Sequence, residues 1–105
     1  MKKFSRKFPK RGEVWLCELG QNFGYEINNI RPVLVLNSLP KHEKTRVVVP
    51  ASRTERCTTL QISGFKFLLH QVRAVDTQRF SRKIIRLPKE GVDFLAKKLY
   101  QFLSK

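Results

Sequence analysis

Short segments of alternating apolar and polar residues fill most of the chain, and this period-two pattern is typical of β-strands. Glycines, prolines and polar stretches separate the segments. The predicted strands cover residues 13–19, 32–36, 45–49, 58–62, 66–75 and 82–87. Because proline has no N–H for a strand ladder, Pro32 is expected to begin the second strand and Pro50 to end the third.

The hydrophobic period changes to that of a helix near the C-terminus. The apolar face of this predicted helix comprises Val92, Leu95, Ala96, Leu99, Phe102 and Leu103. Pro88 suits its first turn, and the early Glu90 and Asp93 complement the positive end of the helix dipole. The whole pattern predicts a mainly β protein: a small, strongly bent antiparallel barrel of five or six strands with a C-terminal helix.

Charge narrows the functional classes. The 105 residues include 22 Lys+Arg and 8 Asp+Glu, for a net charge of +14, and 41% are hydrophobic. This apolar content supports a single folded domain, predicted over 12–105, preceded by a basic arm at 1–11. No apolar run could span a bilayer and no secretory signal follows the arm, so we expect a soluble, cytoplasmic protein without a membrane partner. The excess of cations favours nucleic acid as the partner, then an acidic protein.

Cysteine and histidine usage gives no sign of a metal or redox centre. Cys17 and Cys57 are far apart in the sequence, and His42 and His70 are the only histidines. Neither a disulfide framework nor a zinc site matches this spacing. We therefore expect no metal and no cofactor.

Four segments, in this order and spacing, resemble the MazF/PemK (Kid-like) family of toxin endoribonucleases from type II toxin–antitoxin systems. They are 11–15, 24–26 leading to 30–36, 48–52 and 68–76. The resemblance implies an SH3-like barrel that forms a homodimer and is inhibited by a small acidic antitoxin. It also implies sequence-specific, metal-independent cleavage of single-stranded RNA, in which the 2′-OH attacks the phosphate and leaves 2′,3′-cyclic phosphate and 5′-OH ends.

The same resemblance implies catalytic roles for Arg31, Ser52 and His70. Arg31 would bind the scissile phosphate and stabilise its added charge, and Ser52, at the family's threonine, would hydrogen-bond a phosphate oxygen or the attacking hydroxyl. His70 stands where the family usually has an acidic base, so it either accepts the proton or marks the loss of the base. Each residue also has an alternative without a catalytic role. Arg31 would be an ordinary solvated arginine, Ser52 would only form a turn, and His70 would be a strand residue whose hydrogen bonds are made within the protein.

A second group is implied to bind RNA: Phe23, Tyr25, Glu26, Arg53, Arg56, Gln71 and Arg73. The aromatic rings would stack on unpaired bases or cover the barrel end. Glu26 would orient Arg31, contact a base edge, or only pair with a nearby cation, and the arginines are candidates for phosphate contacts. A further basic cluster, Arg79, Arg82, Lys83 and Arg86, either attracts RNA generally or forms solvated faces.

Two other functions stay open on the sequence. A CcdB-like toxin that poisons DNA gyrase without catalysis would share the barrel, and so would an RNA-binding barrel with a decayed active site. Polar residues at Arg31, Ser52 and His70 argue against a gyrase binder, which has no need of a polar cleft there. Histidine in place of the usual carboxylate keeps the decayed site open.

Overall fold

The computed structural model describes residues 8–20, 30–38, 44–52, 59–62 and 64–104. Its strands are β1 (Glu13–Glu18), β2 (Ile30–Val35), β3 (Thr45–Ser52), β4 (Thr59–Ile62), β5 (Phe65–Leu68), β6 (Arg73–Asp76) and β7 (Phe80–Arg86), and its helix is α1 (Lys89–Leu103). Single 3₁₀ turns at Leu69–Gln71 and Thr77–Arg79 precede β6 and β7. The mainly β prediction with a C-terminal helix is confirmed.

All the strand pairs are antiparallel, in the order β4-β5-β3-β2-β1-β7, with β6 also paired to β3. Strand β3 bends the sheet because Thr45–Val48 pairs with β6, whereas Ala51 and Ser52 pair with β5. Within the described residues no ladder joins β4 to β7, so the SH3-like barrel is open between these strands.

Two buried clusters occupy the two faces of the sheet. The first lies beneath α1 and comprises Val14, Leu34, Val49, Ala51, Phe67, Leu69, Leu87, Val92, Leu95 and Leu99. The second comprises Cys17, Leu19, Val33, Val35, Val48, Val75 and Phe80, with Trp15 packed edge-on against Phe80 at a centroid distance of 5.7 Å. Consecutive residues of β2 belong alternately to the two clusters, so both faces of the strand are buried. This explains why its sequence is apolar without interruption.

The proline boundaries were predicted incorrectly. Strand β2 begins at Ile30, two residues before Pro32, and β3 continues through Pro50 to Ser52. Pro50 is opposite Val33 of β2, at the point where β3 leaves β6 and has not yet paired with β5. Its missing N–H therefore removes no hydrogen bond from these ladders, and the strand can pass through it.

The single strand predicted for 66–75 is also wrong, because the 3₁₀ turn Leu69–Gln71 interrupts it. Strand β5 pairs with the end of β3 and β6 pairs with its beginning. The turn between β5 and β6 makes this change of position along β3 possible. Leu69 is buried in the first cluster while His70 and Gln71 are exposed. The last strand begins two residues earlier than predicted, since Phe80 is fully buried in the second cluster.

Helix α1 closes one side of the first cluster with Val92, Leu95 and Leu99. Arg11 links the helix to the sheet. Its Nη2 donates to Asp93 Oδ1 of α1 at 2.9 Å, and its Nη1 donates to the carbonyl of Leu36, directly after β2, at 3.0 Å. Phe102 and Leu103, predicted on the same apolar face, are 37% and 61% exposed. None of the described helices has the length and apolar character needed to cross a membrane.

Candidate active site

A groove of about 770 Å³ opens on the sheet face that carries the first cluster, beyond the area covered by α1. Its lining comprises Leu16, Ile30, Arg31, Pro32, Ala51, Ser52, Gly64, Phe65, Arg82 and Ile84. The groove has an apolar base and two arginines, and no acidic side chain is among the described residues that line it. This combination suits a ligand with flat apolar groups and negative charge.

Strand register explains how the floor of the groove is built. Leu16 of β1 is opposite Pro32 on one side and Arg82 on the other. Directly opposed residues in antiparallel strands point to the same face, so these three side chains form one row. Continuing the β2–β3 register from the Val33–Pro50 pair adds Ala51 to this row.

Arg31 and Ser52 both line the groove, Arg31 near the start of β2 and Ser52 at the end of β3. Each is next to a floor residue in the sequence, Arg31 beside Pro32 and Ser52 beside Ala51. Both side chains are only partly exposed, which limits the orientations they can adopt. The structure thus brings together two of the three residues implied as catalytic.

His70 lies outside the lining of this groove. It is exposed on the 3₁₀ turn that follows β5, where its Nε2 is 3.4 Å from the side-chain amide of Gln71. Arg73, on β6, is exposed and donates from Nη1 to the Leu19 carbonyl at 3.3 Å, at the end of β1. His70 and Gln71 therefore lie on the 3₁₀ turn and Arg73 on β6, and none of the three lines the groove.

Five of the residues implied to bind RNA lie outside the described residues: Phe23, Tyr25, Glu26, Arg53 and Arg56. In the sequence they belong to the two segments that adjoin Arg31 and Ser52, namely 21–29 and 53–58.

Arg82 and Ile84 line the groove but were not identified as site residues from the sequence. The sequence shows a run of basic residues in β7, and the β1–β7 register, which includes two shifts, determines which of them faces the groove. Lys83 and Arg86 instead approach Glu13, at 3.4 and 3.3 Å from its Oε2. Charge alone could not separate Arg82 from these neighbours.

Glu13 is a buried carboxylate and anchors the start of β1. Burial by itself would raise its pKa, but hydrogen bonds from Trp15 Nε1 at 3.0 Å and the Lys10 amide at 2.9 Å, with the charge of Lys83, hold the pKa below its ordinary value. The carboxylate is therefore ionised at neutral pH and neutralises part of the positive charge of β7. Its role is structural, at the start of the strand that pairs with β7.

No group of three or more His, Cys, Asp or Glu side chains that could hold a metal occurs among the described residues. Cys17 is buried in the second cluster, and burial raises the pKa of its thiol to about 11. Such a thiol stays protonated at neutral pH and is a poor nucleophile and a poor metal ligand.

Comparison with known proteins relates this architecture to toxins. The family described as "PemK-like, MazF-like toxin of type II toxin-antitoxin system" matches residues 10–103. Endoribonuclease EndoA of Bacillus subtilis (strain 168) is 30% identical over 98 residues, covering 80% of this chain and 84% of EndoA.

Solved structures show the same fold. MazF from Deinococcus radiodurans superimposes with a TM-score of 0.77 at 18% identity, covering 95% of this chain and 100% of that one. An endoribonuclease from Mycobacterial species, in complex with its cognate antitoxin, gives a TM-score of 0.72 at 17% identity over 91% of this chain and 95% of its own. The chain belongs to the PemK-like, MazF-like toxins of type II toxin–antitoxin systems.

Proposed function

We propose that this toxin is an endoribonuclease that cuts single-stranded RNA in the groove bordered by Arg31 and Ser52. The observation that carries the proposal is that these two side chains line the same groove, which also carries Arg82. EndoA, the 30% identical relative, is named an endoribonuclease. Sequence specificity and independence from metal are part of the proposal.

The reaction joins the ribose 2′-oxygen to phosphorus and breaks the bond from phosphorus to the 5′-oxygen. A base takes the 2′-OH proton, an acid returns a proton to the leaving 5′-oxygen, and the products are a 2′,3′-cyclic phosphate and a 5′-OH. Arg31 is assigned to the non-bridging oxygens, because its guanidinium can donate two parallel hydrogen bonds as negative charge builds up. Ser52 donates a third hydrogen bond or orients the attacking hydroxyl.

The base is assigned to His70 on the resemblance alone. The neutral imidazole of His70 has a ring nitrogen that can accept the proton. His70 is outside the groove lining, so RNA would have to extend from the groove to the 3₁₀ turn at Leu69–Gln71. The alternative is a site in which Arg31 and Ser52 work without this base. Gln71 and Arg73 are proposed to contact the same part of the RNA.

The remaining partners follow from charge and from the relatives. A net charge of +14 would hold RNA and would equally hold a small acidic antitoxin. Among the structures with this fold are a MazE–MazF complex from Deinococcus radiodurans and a mycobacterial endoribonuclease in complex with its cognate antitoxin. We include in the proposal a homodimer, a cytoplasmic location, the domain at 12–105, and RNA contacts by Phe23, Tyr25, Glu26, Arg53, Arg56 and the basic arm 1–11.

Analysis of product ends tests the activity. The purified protein is incubated with mixed-sequence single-stranded RNA in EDTA, beside Arg31→Ala and a matched charge-removal control, Lys97→Ala, on the exposed side of α1. We expect cyclic phosphate and 5′-OH ends from the native protein and the control, and far fewer of them in the same time from Arg31→Ala. Intact RNA that is nevertheless bound would favour a decayed site, and gyrase-dependent DNA breaks would favour a CcdB-like toxin.

The role of His70 is tested by the pH dependence of cleavage. His70→Asp should keep activity and move the rate–pH profile toward acid, because a carboxylate stays deprotonated at lower pH than imidazole. Unchanged activity in His70→Ala would show that His70 is not the base, without affecting the assignment of Arg31 and Ser52.

A further inference from the structure

Arg82 is the groove cation that the proposed function does not use. It lies on β7 opposite Leu16, which is in turn opposite Pro32, so it belongs to the row of side chains that forms the groove floor. Its side chain is exposed, and Ile84, which also lines the groove, is 39% exposed.

The other basic side chains of β6, β7 and the turn between them form hydrogen bonds or ion pairs within the protein. Arg73 donates to the Leu19 carbonyl and Arg79 to the Glu18 carbonyl, while Lys83 and Arg86 pair with Glu13. No hydrogen bond or ion pair joins the Arg82 guanidinium to the residues that the structure describes. Its five N–H donors are therefore available to a ligand in the groove.

The two groove arginines lie on opposite sides of β1. Adjacent strands are about 4.8 Å apart, so Arg82 on β7 and Arg31 on β2 are separated by roughly 10 Å between backbones. The floor between them is apolar, formed by Leu16 and Pro32. A single nucleic-acid strand crossing this floor would present one phosphate to Arg31 and a different one to Arg82.

We infer that Arg82 is an RNA-binding residue that holds a phosphate other than the scissile one. The inference rests on the proposed function, since it assigns a second contact in the same groove. Because Arg82 contacts a phosphate whose charge does not change in the reaction, it binds substrate and transition state equally. Its loss should raise KM and leave kcat unchanged, whereas loss of Arg31 should lower kcat.

The test measures binding and cleavage for Arg82→Gln, with Lys97→Gln as a control that removes one exposed charge outside the groove. Binding uses a short mixed-sequence RNA that is fully 2′-O-methylated, which has no nucleophile and stays intact. Arg82→Gln should weaken binding by roughly tenfold, as expected for loss of a hydrogen bond between charged groups. The slope of log affinity against log salt should fall by about 0.7, the value for one phosphate contact on a single strand.

Arg82→Lys keeps the charge and should restore the salt slope while recovering only part of the affinity, because lysine cannot make the planar bidentate contact. Equal affinities and equal slopes for Arg82→Gln and Lys97→Gln would overturn the inference, as would a fall in kcat at unchanged KM. If the native protein binds this RNA but cleaves no unmodified RNA, the proposed activity fails while the Arg82 contact is still measured directly. Thermal unfolding of each variant verifies that the fold is intact.

Discussion

The sequence indicated some of the side chains that line the groove but not others. Arg31 and Ser52 were recognisable because each adjoins a proline-containing segment that resembles a known family, and both line the groove. Arg82 was not recognisable, since Lys83 and Arg86 have the same charge and are only one and four residues away. Which of the three faces the groove depends on the register with β1, and the bulges in that register have no clear sequence signal.

Glu13 gives a prediction about stability and pH. Glu13→Gln should lower the free energy of unfolding at neutral pH by about 1–3 kcal/mol, because it removes an ionised acceptor from Trp15, the Lys10 amide and two cations. Urea unfolding measures the difference. Glu18→Gln, an exposed change on the same strand, is the control and should have little effect.

The pH dependence of the Glu13 effect has a fixed sign. The folded-state pKa lies below the ordinary value of 4.5, so the stabilisation is complete above that value and is lost as pH falls through the lowered folded-state pKa. The difference between the native protein and Glu13→Gln should therefore shrink in acid. A difference that grows on acidification would contradict this assignment.

Cys17 gives a prediction about reactivity. With its pKa raised to about 11 by burial, the thiol should resist iodoacetamide in the native protein at neutral pH and react once urea unfolds the chain. Mass spectrometry of the Cys57→Ser variant, in which Cys17 is the only cysteine, measures this directly. Rapid labelling of the folded protein would show that the second cluster opens readily around Cys17.

Among the elements, α1 was the most predictable and β3 the least. The spacing of Val92, Leu95 and Leu99 identified the buried face of the helix, because apolar periodicity is local in the sequence. Strand β3 exchanges one partner for another along a single edge, and this non-local pairing allows Pro50 inside the strand and requires the 3₁₀ turn at Leu69–Gln71. Local propensities do not contain that information.

The packing of α1 can be tested with two adjacent residues. Leu95 is fully buried in the first cluster, whereas Phe94 is 48% exposed. Leu95→Ala should destabilise the protein by about 2–5 kcal/mol through lost burial and a cavity. Phe94→Ala should cost clearly less, and denaturant unfolding of both variants gives the comparison. Equal losses would mean that the outer face of α1 is buried in solution, for example against another molecule.

At the scale of the whole molecule, the net charge of +14 and the groove have different tasks. In the function proposed above, most of the charge concentrates RNA at the surface, while the groove arginines act on individual phosphates. Affinity for 2′-O-methylated RNA should therefore fall steeply with salt, with a slope of log affinity against log salt steeper than about −2, which corresponds to three or more phosphate contacts. A nearly flat dependence, measured by fluorescence anisotropy, would contradict a binding role for the charge.

The most direct test of the central claim is the single-turnover rate of RNA cleavage in EDTA for the native protein and Arg31→Ala, with Lys97→Ala as the charge-matched control. If Arg31 stabilises the charge that builds up on the scissile phosphate, its loss should slow the cleavage step by about 10²–10³-fold, as for removal of a donor at a developing oxyanion. Lys97→Ala should cleave at nearly the native rate. Equal rates for the native protein and Arg31→Ala at saturating protein would contradict an active site built on this groove.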